Sequence, residues 1–148
     1  MNHGDKAAEL FYEGYNCAQA VLMAFSDVTG LEEAYAARLI SSFGGGMGRL
    51  REVCGAVSGM FLMAGLAFGY TDPKDMEAKA AHYARIQKLA AAFKERNGSI
   101  VCRELLGETA GTGSRPAERT PAYYKARPCE ELVADAAQLL EQMLTEEK

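Results

Sequence analysis

The sequence predicts an all-α protein, a single-domain bundle of about five or six helices over residues 1–148. Three observations predict it. Apolar residues recur at spacings of three and four over long stretches. No stretch shows the alternation of β-branched residues that marks a strand. Glycines, prolines and capping residues fall between the periodic stretches, where helices start and stop.

The first helix is expected over residues 5–26. Ala8, Phe11, Tyr15, Ala18, Leu22 and Phe25 share one face there, with Leu10, Cys17 and Val21 on its shoulder. DVTG (27–30) punctuates the chain, and a second helix is expected over 32–43 until GGGMG (44–48) breaks it. The third, from 52 to 69, is apolar on every side yet carries Gly55, Gly59, Gly65 and Gly69. A glycine inside a helix costs about 1 kcal/mol against alanine. Gly55 and Gly59 lie four apart, on a face that lets another backbone come close, and Gly55 leaves space beside the Cys54 sulfur. That face reads either as tight helix packing alone or as a crowded site. The fourth helix is expected from a cap at Asp72, with Pro73 at its first position, to Arg96, where Gly98 stops it. Ser99 caps a short fifth helix over 100–106. Residues 107–128 form a long polar connection, of the kind that is either functional or mobile. The last helix is expected from Pro128 to Glu146.

Composition narrows the function. With 49% hydrophobic and 24% charged residues, the chain can bury a core without disulfide staples. A net charge of −4 and the lack of a basic stripe speak against nucleic acid as a partner. The longest apolar run, 54–70, is shorter than the roughly 20 residues of a membrane span. The first ten residues lack the apolar core of a signal peptide, so a cytoplasmic location is expected. In a reducing compartment the four cysteines are core fillers, metal ligands or redox groups rather than structural disulfides.

Those cysteines are Cys17, Cys54, Cys102 and Cys129, and no two form a CxxC pair. Any site they build must be assembled by the fold. Cys54, Cys102 and Cys129 fall at the expected starts of helices, where free backbone N–H groups and the helix dipole favour a thiolate. A thiolate is both a nucleophile and a metal ligand. Inert burial is the competing reading, since cysteine is among the most buried residue types. Other motifs carry less. FGGGMG (43–48) precedes a helix as a phosphate loop would, but no strand leads into it and GxxxxGK[ST] is absent. It reads better as a turn that swings Cys54 toward the other cysteines. His3 lies in a terminus expected to fray, and His82 reads as a surface or packing residue of the fourth helix. Glu52 reads as a first-turn acid rather than a proton acceptor. Tyr123 and Tyr124 with Lys125 and Arg127 give the segment before Cys129 some binding capacity.

YNCAQAVL (15–22), FGGGMGRLREVCGAVSGMFLMAGLAFG (43–69), CRELLG (102–107) and CEELVADAAQLLEQML (129–144) together resemble the C-GCAxxG-C-C family of small redox-active proteins, which carry four cysteines and a CGAxxG motif. CGAVSG (54–59) fills that motif. The resemblance implies that Cys17, Cys54, Cys102 and Cys129 are the functional cysteines, as catalytic, cofactor-binding or metal-binding groups, supported by Gly55, Ala56 and Gly59. The segments are also similar to a domain of split-Soret cytochromes c, which carry haem and an iron–sulfur centre, but a CxxCH for covalent haem is absent. Two chemistries stand open. One is redox, through thiol–disulfide exchange or an iron–sulfur cluster, as an oxidoreductase or an electron carrier. The other is binding of zinc or another soft metal ion without turnover. A helical scaffold for a partner protein is the third reading. The redox partner and the oligomeric state, a homo-oligomer included, are left open.

Overall fold

A computed structural model of the protein describes residues 1–147. Among the described residues the chain is all-α, with one isolated antiparallel bridge, Val53 to Val101, and no strand. The helices are α1 (His3–Tyr12), α2 (Cys17–Met23), α3 (Ser26–Thr29), α4 (Glu33–Ile40), α5 (Gly55–Phe68), α6 (Met76–Asn97), α7 (Cys102–Leu106), α8 (Pro121–Ala126) and α9 (Cys129–Glu146). Gly44–Met47 closes helix-like hydrogen bonds, but Gly45 and Gly46 sit at φ of 67° and 69°, so it is a turn.

These helices outnumber the five or six expected, for local reasons. The single helix expected over 5–26 is two, α1 and α2, and the DVTG stretch expected only to punctuate the chain carries most of the one-turn helix α3. Gly14 takes φ of 110° and breaks it after α1. Asn16 then caps α2: its side chain accepts from the Gln19 N–H while Gln19 reaches back to the Asn16 N–H. Cys17 therefore opens a helix instead of lying inside one. The connection over 107–128 also holds a helix, α8, with Thr120 as its cap and Pro121 at its first position. Elsewhere the expected ends move by a few residues. The cap of α6 is Asp75 rather than Asp72, whose carboxylate instead accepts from the Lys74 N–H, and Gly98 ends the helix in the left-handed conformation.

Helix α1 packs along α9, and α2 along α5. Helices α2 and α5 also meet α9, so the first and last thirds of the chain close on one core. Phe11, Leu22, Phe25, Met60, Met63, Phe93 and Leu140 fill it. Burying each such side chain contributes about 1.5–3 kcal/mol. The glycine face of α5 does what its spacing suggests. A Cβ at Gly59 would stand 2.8 Å from the Ala18 carbonyl oxygen, and one at Gly55 would stand 3.1 Å from the Ala18 nitrogen and 3.2 Å from the Cys17 Cβ. The room at Gly55 thus admits Cys17 and its helix. Gly65 meets nothing within 4 Å and takes no part.

The N-terminus is tied down. The His3 ring stacks on Phe25 with centroids 4.1 Å apart, and its nitrogens meet Glu141 on α9 at 2.6 Å and Asp27 on α3 at 3.0 Å. His82 is buried against Tyr70. Among the described residues no helix is long and apolar enough to cross a membrane.

Candidate functional site

Each of the four cysteines stands where a helix begins. Cys17, Cys102 and Cys129 are the first residues of α2, α7 and α9, and Cys54 is the residue before α5. Two short backbone contacts place Cys54 beside Cys102. The Cys54 N–H donates to the Ile100 carbonyl at 2.8 Å, and the Cys102 N–H donates to the Glu52 carbonyl at 2.6 Å, on either side of the Val53–Val101 bridge. The Gly55 contact sets Cys17 against the same helix start. Helix α9, packed on α1 and α2, brings Cys129 from the far end of the chain.

All four cysteines line one cavity of about 60 Å³. Cys54, Cys102 and Cys129 are buried, Cys17 is half-buried, and all four are free thiols. Phe11, Leu105, Leu106 and Leu132 supply an apolar wall, and Arg51, Arg119 and Arg127 supply the charge. Among the described residues no carboxylate lines the cavity. Glu52 is turned away, in an exposed ion pair with Arg103 at 3.1 Å.

The arginines come from loops. The turn after α4 runs through left-handed residues at Gly45, Gly46, Met47, Gly48, Arg49 and Arg51. For a non-glycine residue that conformation costs about 1–2 kcal/mol, and such strain concentrates at functional sites. It is held by backbone bonds from the Arg51 and Glu52 N–H groups to the Gly45 and Gly46 carbonyls. A Cβ at Gly46 would stand 2.6 Å from the Cys102 Cβ, so the turn presses on the cavity wall. Arg51 is 7% exposed, and its Nη1 donates to the Cys102 sulfur at 3.6 Å. Its Nε donates to the Gly111 carbonyl, while Arg49 donates to the carbonyls of Thr112 and Gly113. The connection over 107–128 is thereby held at the cavity, where its Arg119, Tyr123 and Arg127 form a roof. Arg119 donates to the carbonyls of Phe11 and Tyr15 and stacks over the Phe11 ring at 4.3 Å. Arg127 donates to the Thr109 carbonyl at 2.6 Å and lies over Tyr123.

This charge sorts the thiols. Cys129 is held below its ordinary value of 9.0, first by a hydrogen bond with Cys17 and then by the positive charges of Arg127, Arg119 and Arg51. Cys17 moves the other way, raised as the protonated partner of Cys129 and by burial. Burial pushes Cys54 up to about 12, against the backbone N–H groups of Ala56 and Val57 that favour its thiolate. Arg49 is itself lowered, by desolvation and then by its neighbours Arg51 and Arg127. The cavity therefore holds one thiol disposed to ionise, a protonated neighbour bonded to it, and a thiol that stays protonated at neutral pH.

A family model described as "Putative redox-active protein (C_GCAxxG_C_C)" matches residues 15–143. The chain belongs to this family. No curated protein and no solved structure matches the chain. The match to C_GCAxxG_C_C begins within two residues of Cys17 and runs past Cys129, so all four cysteines lie inside it. It begins after α1, which nonetheless gives Phe11 to the cavity and the Phe11 carbonyl to Arg119. Among the described residues no three His, Cys, Asp or Glu side chains are arranged to hold a metal ion. Sequence reasoning singled out Arg127 but missed Arg51 and Arg119. The signal available for Arg51 was its place at the end of GGGMGRLR, three residues before Cys54.

Proposed function

We propose that this C_GCAxxG_C_C protein is a thiol–disulfide exchange protein in which Cys129 is the attacking thiolate and Cys17 the resolving thiol. The observation that carries the reading is the convergence of Cys17, Cys54, Cys102 and Cys129 on one cavity whose lining includes Arg51, Arg119 and Arg127; the lowered Cys129 and raised Cys17 thiols support the assignment of roles. The Cys129 thiolate attacks one sulfur of a substrate disulfide. A new S–S bond forms, the substrate S–S bond breaks, and its electron pair leaves with the first thiolate. Cys17 then gives up its proton and attacks the Cys129 sulfur, releasing the second substrate thiolate and closing a Cys17–Cys129 disulfide. The protein loses two electrons and the substrate gains them. A low-molecular-weight dithiol reverses the protein half. Cys54 and Cys102 line the same cavity as a second dithiol for exchange with the first. No step in this scheme runs through a metal ion or an iron–sulfur cluster.

Oxidation of anaerobically purified protein with one equivalent of disulfide tests it. Two thiols per chain should disappear, and peptide mass spectrometry should find Cys17 linked to Cys129. Cys17→Ser should trap a mixed disulfide on Cys129, and Cys129→Ser should not react. Alkylation of Cys129 should rise through a midpoint below 9.0, while Cys54 should resist until pH approaches about 12. Retention of all thiols under excess disulfide, or a linkage that omits Cys129, overturns the reading. Iron or zinc co-purifying in proportion to the chain, with the cysteines unreactive, overturns it in favour of a metal protein.

A further inference from the structure

The cysteine cavity adjoins an outer cleft of about 280 Å³. Arg51, Arg119, Arg127, Asn16 and Tyr123 line both, so the three guanidiniums stand at the boundary between them. Arg49 lines the cleft further out. Among the described residues no Asp or Glu lines either space. Arg119 and Arg127 spend N–H groups on main-chain carbonyls, which fixes their positions without neutralising their charge. Arg51 is different. It is buried to more than nine-tenths, and its Nη2 has no hydrogen-bond partner among the described residues. A buried guanidinium donor left unpaired is costly, and a carboxylate is the acceptor whose geometry suits it. Size narrows the ligand further. A cavity of about 60 Å³ holds a few waters or one small sulfur-bearing group. With Cys129 only 6% exposed, a small disulfide meets less steric hindrance in reaching it than one held in a folded protein.

We propose that the cleft and cavity together select a small disulfide bearing carboxylates, its anionic groups on the Arg51–Arg119–Arg127 rim and one sulfur passed inward to Cys129. This rests on the dithiol reading above and adds the substrate class to it. The exchange balances as already written, with two carboxylate-bearing thiols as products.

Three aliphatic disulfides of similar size test the inference on the full chain: dithiodiglycolate, which is dianionic, neutral 2-hydroxyethyl disulfide and dicationic cystamine. Each rate of thiol loss is divided by the rate of the same disulfide with a free model thiol, which removes intrinsic reactivity. Charge-assisted hydrogen bonds should make the dianion about ten- to hundredfold faster than the neutral probe, with cystamine slowest. Added salt should compress that order. Arg51→Met should abolish most of the preference, and Arg51→Lys should restore part of it. Thiodiglycolate, a thioether that cannot exchange, should bind the wild type and protect Cys129 from alkylation. Equal normalised rates for the three probes overturn the inference and leave the dithiol reading standing. Failure of every disulfide to react overturns the dithiol reading and the substrate inference with it, and thiodiglycolate binding lost in Arg51→Met then shows a carboxylate site without the exchange chemistry.

Discussion

Cys54 and Cys129 are the same residue type at the same kind of place, a helix start, yet they are tuned in opposite directions. The difference is what surrounds each sulfur. Desolvation dominates at Cys54, while Cys129 has a donor in Cys17 and three guanidiniums near it. Helix position alone therefore does not fix a thiol's chemistry. The same logic applies far from the cavity at Glu141, which His3 holds below its ordinary value of 4.5 through hydrogen bonds. A carboxylate with a depressed folded pKa stabilises the fold above its unfolded value, and that stabilisation fades as pH falls through the folded one. Glu141→Gln should thus be less stable than wild type at neutral pH, with the two converging below about pH 4.5. Urea unfolding across that range checks it. Parallel stability curves would mean that the pair contributes nothing through charge.

At the scale of elements, the glycines of α5 divide into two kinds. Gly59 faces the Ala18 carbonyl, and Gly65 faces open space. Gly59→Ala should destabilise the protein by about 1–3 kcal/mol, because overpacking outweighs the gain in helix propensity. Gly65→Ala should stabilise it by about 1 kcal/mol. Thermal unfolding of the two variants should move in opposite directions, and equal shifts would refute the close approach of α2. The spacing of Gly55 and Gly59 made that approach legible in the sequence. The break before α2 was legible too, in Gly14 and in the Asn16–Gln19 capping box, but the apolar periodicity running through residues 5–26 masked it. The cap of α6 was misplaced because Asp72 and Asp75 both precede a helical run, and a proline after the first made it the more persuasive.

At the scale of the molecule, the site joins segments that the sequence holds far apart. Cys17 and Cys129 lie on α2 and α9, and the disulfide proposed between them would close a loop of more than a hundred residues. A crosslink of that span restricts the unfolded chain and stabilises the fold by about 2–4 kcal/mol. The oxidised protein should therefore melt several degrees above the reduced one, on the order of 5–15 °C for a domain of this size. The same oxidant should leave the melting of Cys17→Ser unchanged. A rise that persists in that variant would assign the stabilisation to another crosslink. The four cysteines were legible one by one, and the all-α class was legible from periodicity. The arginine rim was not. Arg51, Arg119 and Arg127 sit in two separate loops, and only the packing of α1, α2 and α9 decides that they converge.

The roof over the cavity is held by main-chain atoms. Arg49 and Arg51 grasp the carbonyls of Gly111, Thr112 and Gly113, and every residue offers a carbonyl. The grip does not read the side chains of residues 112 and 114–118, which are exposed. It makes demands only at Gly111, where a Cβ would stand 2.8 Å from Arg49, and at Gly113, whose φ is 79°. The segment is thus a cassette: its outward residues can be rewritten to suit a different visitor while the chamber beneath keeps its shape, its charge and its thiols.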